Sequence, residues 1–130
     1  LMTNEKLEIV SDQIGVPTSA ELIARITKDF IKNYLKPQKF QYGVYHLTPN
    51  GKSSFFEIAK YLAKHIKKIH PDLLLEERII PIKTINYPSL AKRPLNSLLD
   101  TRKIESVLNY KLPFWESDFA KVVLNLIDNR

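Results

Sequence analysis

The sequence predicts a mixed α/β fold in a single domain, on three observations. A chain of 130 residues has the size of one domain. Its composition, 44% hydrophobic and 26% charged, is typical of globular proteins. Strand-like segments also alternate with segments of helical periodicity, in the order strand, helix, strand, helix, strand, helix, helix. A few short strands with four helices make only a thin sheet, so we expect part of the sheet to be absent.

The first strand and helix follow from local patterns. Leu7–Val10 is short and contains β-branched residues, which favours a strand. Thr18 followed by Glu21 fits a capping box, which predicts a helix over Ser19–Tyr34. Pro37 ends this helix because proline cannot continue one. The apolar residues at helical spacing are Leu22, Ile23, Ile26, Phe30 and Tyr34.

The next segment repeats this order. Gln41–Leu47 (QYGVYHL) is rich in Tyr and Val and predicts a strand, and Thr48–Gly51 (TPNG) is typical of a turn. Ser54 with Glu57 forms a second candidate capping box, from which a helix runs to about Ile69. The apolar stripe of this helix is Phe55, Ile58, Leu62, Ile66 and Ile69.

A third strand is predicted over Arg78–Ile85. It should lie near a sheet edge, because Pro81 cannot donate a ladder hydrogen bond. Pro88 and Pro94 then bracket a loop.

Two helices complete the predicted fold. Asp100 can cap a short helix over Thr101–Asn109, and an amphipathic helix is predicted over Ser117–Ile127. Its inward-facing residues are expected to be Phe119, Val122, Val123 and Leu126.

The usual motifs for cofactors and catalysis are missing from the sequence. Gly15, Gly43 and Gly51 are too far apart for a dinucleotide-binding turn or a Walker loop. The Tyr-x-x-x-Lys pair that lowers a phenol pKa is also missing, since Tyr61 and Lys64 are one residue too close. The residues of this chain therefore do not encode a nucleotide-cofactor site by themselves.

Metal and membrane sites are not predicted either. His46, His65 and His70 lack the i,i+4 spacing that places two imidazoles on one helix face, and there is no Cys. The chain has no long apolar run and no signal-peptide pattern at its start. The absence of Cys suits a reducing compartment.

The basic character of the chain raises the question of an anionic partner. The net charge is +6 and the isoelectric point is about 9.5. One basic run could follow a nucleic-acid backbone, but without aromatic or Arg interleaving it is better interpreted as a solvated helix face. The run comprises Lys60, Lys64, His65, Lys67 and Lys68.

The loop Ala91–Asp100 (AKRPLNSLLD) is the stronger candidate for an anion site. Arg93 offers a planar fork suited to phosphate, Lys92 adds a second charge, and Pro94 restricts the loop before binding. The alternative is that the basic pair is simply solvated.

Four stretches together resemble the carboxyl-terminal part of the dTDP-4-dehydrorhamnose reductase family, which are extended short-chain dehydrogenases. They are DQIGVPTSAELIA (Asp12–Ala24), YGVYHLTPNGKSSFFEIAKYL (Tyr42–Leu62), YPSLAKRPLNSLLDTRKIE (Tyr87–Glu105) and LPFWESDFAKVV (Leu112–Val123). They occur in the order and spacing of the family and cover nearly the whole chain.

The resemblance implies a Rossmann-like parent that reduces dTDP-4-dehydro-L-rhamnose to dTDP-L-rhamnose with NADPH or NADH, in the cytoplasm. In the family, the amino-terminal Rossmann domain carries the cofactor site and the catalytic Tyr. Residues 1–130 would then be the substrate-binding part, inactive alone, binding no cofactor and lacking most of the parallel sheet. Its first residue, Leu1 rather than Met, agrees with a fragment. A need for Mg²⁺ is left open.

The resemblance also implies roles for five residues. Arg93 would contact the diphosphate, with Lys92 as a flanking charge, and Asn96 would lie near the ribose. Gln13 and Thr18 would line the substrate cleft, although Thr18 is also the expected helix cap. Apolar faces on Gln41–Leu47 and on the first two helices should be exposed or should pair with a second copy, so we expect a homo-oligomer. The alternatives are a non-catalytic regulatory subunit of the same fold and a nucleic-acid-binding module.

Overall fold

The structure is a computed structural model that describes residues 6–36, 41–89 and 91–128, with side chains through Asn125. The described residues form two compact units, one from those within 1–15 and 52–98 and the other from those within 16–51 and 99–130. The strands are β1 (Leu7–Val10), β2 (Ile14–Gly15), β3 (Ser53–Ser54) and β4 (Ile79–Ile82). The helices are α1 (Ala20–Tyr34), α2 (Phe55–Ile69), α3 (Leu75–Arg78), α4 (Arg102–Leu108) and α5 (Trp115–Asp128), with a 3-10 turn at Thr84–Asn86.

The first unit contains two small sheets. β1 pairs with β4 in parallel, from Leu7 opposite Ile79 to Val10 opposite Ile82. β2 pairs with β3 antiparallel. The parallel pair of strands agrees with the predicted α/β class, and the sheet is as thin as the sequence indicated.

Helix α2 covers the parallel pair with a face that shares only Ile66 with the predicted stripe. Phe55 is 52% exposed and Ile69 is 41% exposed, so neither end of the stripe is buried. Small alanines on the packed face let the helix approach the core of this unit closely. The residues that pack there are Phe56, Ala59, Ala63 and Ile66, against Ile9, Leu73, Leu75 and Ile79.

The second unit is built from α1, α4 and α5. Leu22 and Ile26 of α1 are fully buried, which confirms the predicted helical periodicity there. They form a core with Ile104 and Leu112, joined by Tyr45 and other partly buried residues. Helix α5 begins at Trp115, two residues before the predicted start, and the side chain of Leu126 lies outside the described residues.

The predicted strand at Gln41–Leu47 is wrong. Residues 41–47 are irregular, and no other strand pairs with them in the described part of the chain. A strand needs a partner for its backbone groups. Here the backbone oxygen of Val44 instead accepts a hydrogen bond from Lys103 Nζ at 2.9 Å, and Tyr45 and Leu47 pack on the core of the unit.

The predicted cap of the first helix is off by one residue. Ser19, not Thr18, is the N-cap, and its Oγ accepts a hydrogen bond from the Leu22 N–H at 2.9 Å. A tertiary contact selects Ser19, because Asp118 accepts from its Oγ at 2.8 Å and from its N–H at 3.1 Å. Sequence spacing alone could not reveal that contact.

The second capping box is confirmed. Ser54 Oγ accepts from the Glu57 N–H at 3.2 Å, and Glu57 Oε2 accepts from the Ser54 N–H at 2.7 Å. These hydrogen bonds lower the pKa of Glu57 below its ordinary value.

The third predicted strand is shorter than expected. Arg78 ends α3, which the sequence did not predict, and the strand stops at Ile82 before the 3-10 turn. Further along, Asp100 Oδ1 accepts from the Arg102 N–H at 3.0 Å, so Asp100 serves the start of α4 although Thr101 is the N-cap residue.

Two kinds of feature are absent from the described ranges. None of the helices there combines the length and apolarity needed to cross a membrane. No three metal-ligating side chains cluster among those residues either.

Candidate functional site

The candidate site lies at the carboxyl ends of the two parallel strands, β1 and β4, in the first unit. β1 and β4 end opposite each other at Val10 and Ile82, so the segments that follow them emerge at the same edge. Ligands of parallel sheets bind outside the carboxyl ends of the strands. A cavity of about 220 Å³ lies here, lined by Glu8, Ile9, Val10, Gln13, Phe55, Thr84, Tyr87, Ser89, Ala91 and Arg93.

Hydrogen bonds join the two segments that leave the strands. The Ser11 N–H donates to the Ile82 oxygen at 2.9 Å, which continues the ladder by one step. Asp12 Oδ1 then accepts from the Thr84 N–H at 2.9 Å and from Thr84 Oγ1 at 2.6 Å. Gln13 Nε2 donates to Thr84 Oγ1 at 3.2 Å. These contacts connect the segment after β1 to the segment after β4, and they include Gln13 and Thr84, which both line the cavity.

The structure brings Gln13 and Arg93 to the same cavity. Gln13 is buried, with 7% of its surface exposed, and Arg93 is exposed at the cavity rim. No carboxylate in the described part of the chain lies within ion-pairing distance of Arg93. The guanidinium is therefore available to an anionic ligand.

The loop that follows Arg93 is fixed on β2. The Ile14 N–H donates to the Leu95 oxygen at 2.8 Å, and the Ser97 N–H donates to the Ile14 oxygen at 2.9 Å. A side chain at Gly15 would meet Ser97 Oγ at 2.9 Å, so the absence of one allows this close approach. This anchoring fixes the backbone of the loop from two residues after Arg93.

The other three predicted site residues are not in the cavity lining. Lys92 is exposed beside Arg93 in sequence. Asn96 forms an isolated bridge with Ile14, and its Oδ1 accepts from the Leu98 N–H at 3.0 Å, so its side chain stabilises the loop itself. Thr18 is half-buried in the second unit.

Sequence reasoning missed most of the residues that line the cavity, among them Phe55, Thr84 and Tyr87. Thr84 was hidden because it falls inside the predicted strand Arg78–Ile85. The early end of β4 turns Thr84 back toward Asp12 instead. The sequence signal for this network was an Asp-Gln pair that begins two residues after the last residue of a predicted strand.

The basic run on α2 is only partly a solvated face. Lys60 Nζ donates to the Glu76 oxygen at 2.8 Å and lies 5.9 Å from the ring centre of Phe56. His65 Nδ1 lies 2.9 Å from the oxygen of Tyr61. Two members of the run thus have contacts within the unit, which leaves a smaller charged surface than the sequence indicated.

Comparison with known proteins identifies the family. The family model described as the RmlD substrate binding domain matches residues 1–127. The chain belongs to the RmlD substrate-binding domain family. Its curated relatives include the dTDP-4-dehydrorhamnose reductases of Sinorhizobium fredii, 31% identical over 126 residues, and of Escherichia coli strain K12, 33% identical over 122 residues. These alignments cover 96% and 94% of this chain but 42% and 40% of the relatives.

Solved structures of the same enzymes have the fold of this RmlD-type chain. The dTDP-4-dehydrorhamnose reductase of Bacillus anthracis, solved in complex with NADP, matches with a TM-score of 0.74 at 24% identity. The reductase of Clostridium acetobutylicum matches with a TM-score of 0.73 at 25% identity. The matches cover 94% and 97% of this chain and 39% and 40% of those chains. The chain therefore spans about two-fifths of the length of its relatives, which agrees with the expected carboxyl-terminal part.

Proposed function

We propose that this chain is the substrate-binding part of a dTDP-4-dehydrorhamnose reductase, and that it holds the dTDP-sugar in the cavity of the first unit. The observation that carries this proposal is the meeting of Arg93 and Gln13 at the carboxyl edge of β1 and β4. The match to the substrate-binding family supports it.

Arg93 is proposed to bind the diphosphate. An arginine fork can donate two parallel hydrogen bonds to phosphate oxygens, and Arg93 has no competing carboxylate among the described residues. Lys92 would add long-range attraction from the adjacent position. For Asn96 we propose support of the loop in place of ribose contact, because its side-chain oxygen already accepts from Leu98.

The residues of this chain do not fit a nicotinamide cofactor. Its three glycines are dispersed at positions 15, 43 and 51, so no glycine-rich phosphate turn is formed. We propose that NADPH or NADH and the catalytic Tyr belong to a Rossmann domain outside residues 1–130. The role left to this chain is to bind and orient the sugar nucleotide, which lowers the entropic part of the barrier.

The assembly around this site is also a proposal. Apolar side chains are exposed on α1 and on residues 41–47, including Tyr42 and Val44 at 76% each. We propose that the Rossmann domain or a second copy covers them, in a cytoplasmic homo-oligomer. Light scattering that showed only monomers of residues 1–130 at every concentration would contradict self-association of this part.

The proposal is tested with the full-length protein that carries residues 1–130. We expect it to oxidise NADPH in the presence of dTDP-4-dehydro-L-rhamnose, and Arg93→Ala to raise KM. A control, Arg25→Ala, removes an exposed arginine from α1 and should leave KM unchanged. If the wild-type protein consumes no NADPH, it is not this reductase, and a regulatory subunit becomes the better interpretation. Equal activity of the wild-type and Arg93→Ala proteins would remove Arg93 from the site.

A further inference from the structure

The side-chain amide of Gln13 has a fixed orientation. Gln13 lines the cavity and is buried. Its side-chain amide has a nitrogen, which donates, and an oxygen, which accepts. Its nitrogen lies 3.2 Å from Thr84 Oγ1. Among the described residues, this is the only side-chain hydrogen bond of Gln13, so none of them donates to its oxygen. The orientation of the Gln13 amide therefore depends on whether Thr84 Oγ1 donates a hydrogen bond to it or accepts one from it.

Thr84 can only accept from Gln13. A threonine hydroxyl has one proton, and that of Thr84 is donated to Asp12 Oδ1 at 2.6 Å. The hydrogen bond from Thr84 lowers the pKa of Asp12, so the carboxylate stays ionised at neutral pH and cannot donate in return. The Thr84 oxygen can therefore accept from Gln13 but cannot donate to it, so the amide nitrogen is the end of Gln13 that faces Thr84.

We propose that Asp12 and Thr84 are positioning residues that orient Gln13 so that its Oε1 faces the ligand as a hydrogen-bond acceptor. Gln13 then accepts a hydrogen bond from a hydroxyl or an imide N–H of the ligand. The diphosphate oxygens, which are acceptors, bind to Arg93 instead. This inference rests on the proposed dTDP-sugar site. It divides that site into an anion-binding end and an end that recognises a donor group.

The donor group can come from two parts of a dTDP-sugar. One is the nucleoside, which carries an imide N–H and a hydroxyl, and the other is the hexose with its hydroxyls. Both present the same chemistry to Gln13, so the binding of dTDP and of dTDP-glucose must be compared.

Thr84→Val separates this role from general packing, because valine keeps the shape of threonine without its oxygen. In the full-length protein, calorimetric titration should show roughly three- to tenfold weaker binding of the ligand that carries the donor, the loss expected for one neutral hydrogen bond. A loss for dTDP and dTDP-glucose alike assigns the donor to the nucleoside, and a loss for dTDP-glucose alone assigns it to the hexose. Pyrophosphate, which lacks both base and sugar, should bind equally to both proteins.

Two further variants test whether Thr84 acts through Gln13. Thr84→Ser keeps the hydroxyl and should restore wild-type affinity. Gln13→Met removes the amide and should give the same selective loss, and Thr84→Val added to Gln13→Met should have no further effect. Thr27→Val, at an exposed position on α1, is the matched control for the substitution type.

The outcomes separate the two proposals. If the wild-type protein binds neither dTDP nor dTDP-glucose, the proposed function is refuted, and the proposed ligand contact of Gln13 is refuted with it. If it binds them but Thr84→Val changes nothing, or weakens pyrophosphate equally, only the role of Thr84 is refuted. Additive effects of Thr84→Val and Gln13→Met would also refute it.

Discussion

Glu105 is a buried carboxylate that holds the second unit together, and its removal should be costly. The residue is 6% exposed. Its Oε1 accepts from Asn50 Nδ2 at 2.9 Å and from the Leu112 N–H at 2.8 Å, and its Oε2 accepts from Lys111 Nζ at 2.8 Å. Burial alone would raise the pKa of Glu105, but these hydrogen bonds outweigh burial and lower it.

The cost of Glu105→Ala can be estimated from the groups left behind. Asn50 Nδ2 keeps a second bond to the Leu112 oxygen at 2.7 Å, and the exposed Lys111 returns to water. The Leu112 N–H is buried and would lose its acceptor, which costs about 1–3 kcal/mol. With the lost charge-assisted bonds, the total should be about 2–4 kcal/mol. Glu105→Gln keeps the bonds at Oε1 and should cost about 1 kcal/mol.

Urea unfolding followed by circular dichroism measures this difference. At a slope of about 2 kcal/mol per molar urea, Glu105→Ala should lower the midpoint by roughly 1–2 M. Because the folded pKa is lowered, the contribution of Glu105 is fully present above its ordinary pKa and is lost as pH falls through the folded value. The difference between wild type and Glu105→Ala should therefore shrink on acidification. If Glu105→Ala costs no more than Glu77→Ala at an exposed site, the reasoning is refuted.

Three other substitutions test local contacts. Asp118→Ala removes both acceptor oxygens from the N-cap of α1 and should cost about 1–2 kcal/mol in the same urea assay; an unchanged midpoint would contradict this role. Gly51→Ala should cost about 1–3 kcal/mol, because φ is +103° and the added Cβ would meet Trp115 Cδ1 at 2.9 Å. The hydrogen bonds from Arg102 lower the pKa of Asp100 to about 2. Arg102→Ala should raise that pKa toward its ordinary value, as followed by carboxyl NMR titration, and no rise would contradict the pairing.

The fold could be predicted from sequence where local signals are strong. Helices α1 and α2 and the strand β1 have clear periodicity or caps, and their positions agree with the structure to within a residue or two. The segment at Gln41–Leu47 has strand-like residues, but a strand exists only with a partner, which local composition does not reveal. The two-residue strands β2 and β3 are too short for any periodicity.

The candidate site was predictable in part for the same reason. Arg93 was predicted from residue type and resemblance and Gln13 from the resemblance, and both line one cavity. Thr84 depends on a contact with Asp12 across 72 positions, which no local pattern encodes. The correct cap, Ser19, likewise depends on distant Asp118.

A crystal structure of the full-length protein with dTDP-glucose tests the central claim most directly. The account predicts the diphosphate within hydrogen-bond distance of Arg93, about 3 Å, with a hydroxyl or imide donor at a similar distance from Gln13 Oε1. A diphosphate bound away from Arg93, with this cavity empty of ligand, would contradict the account.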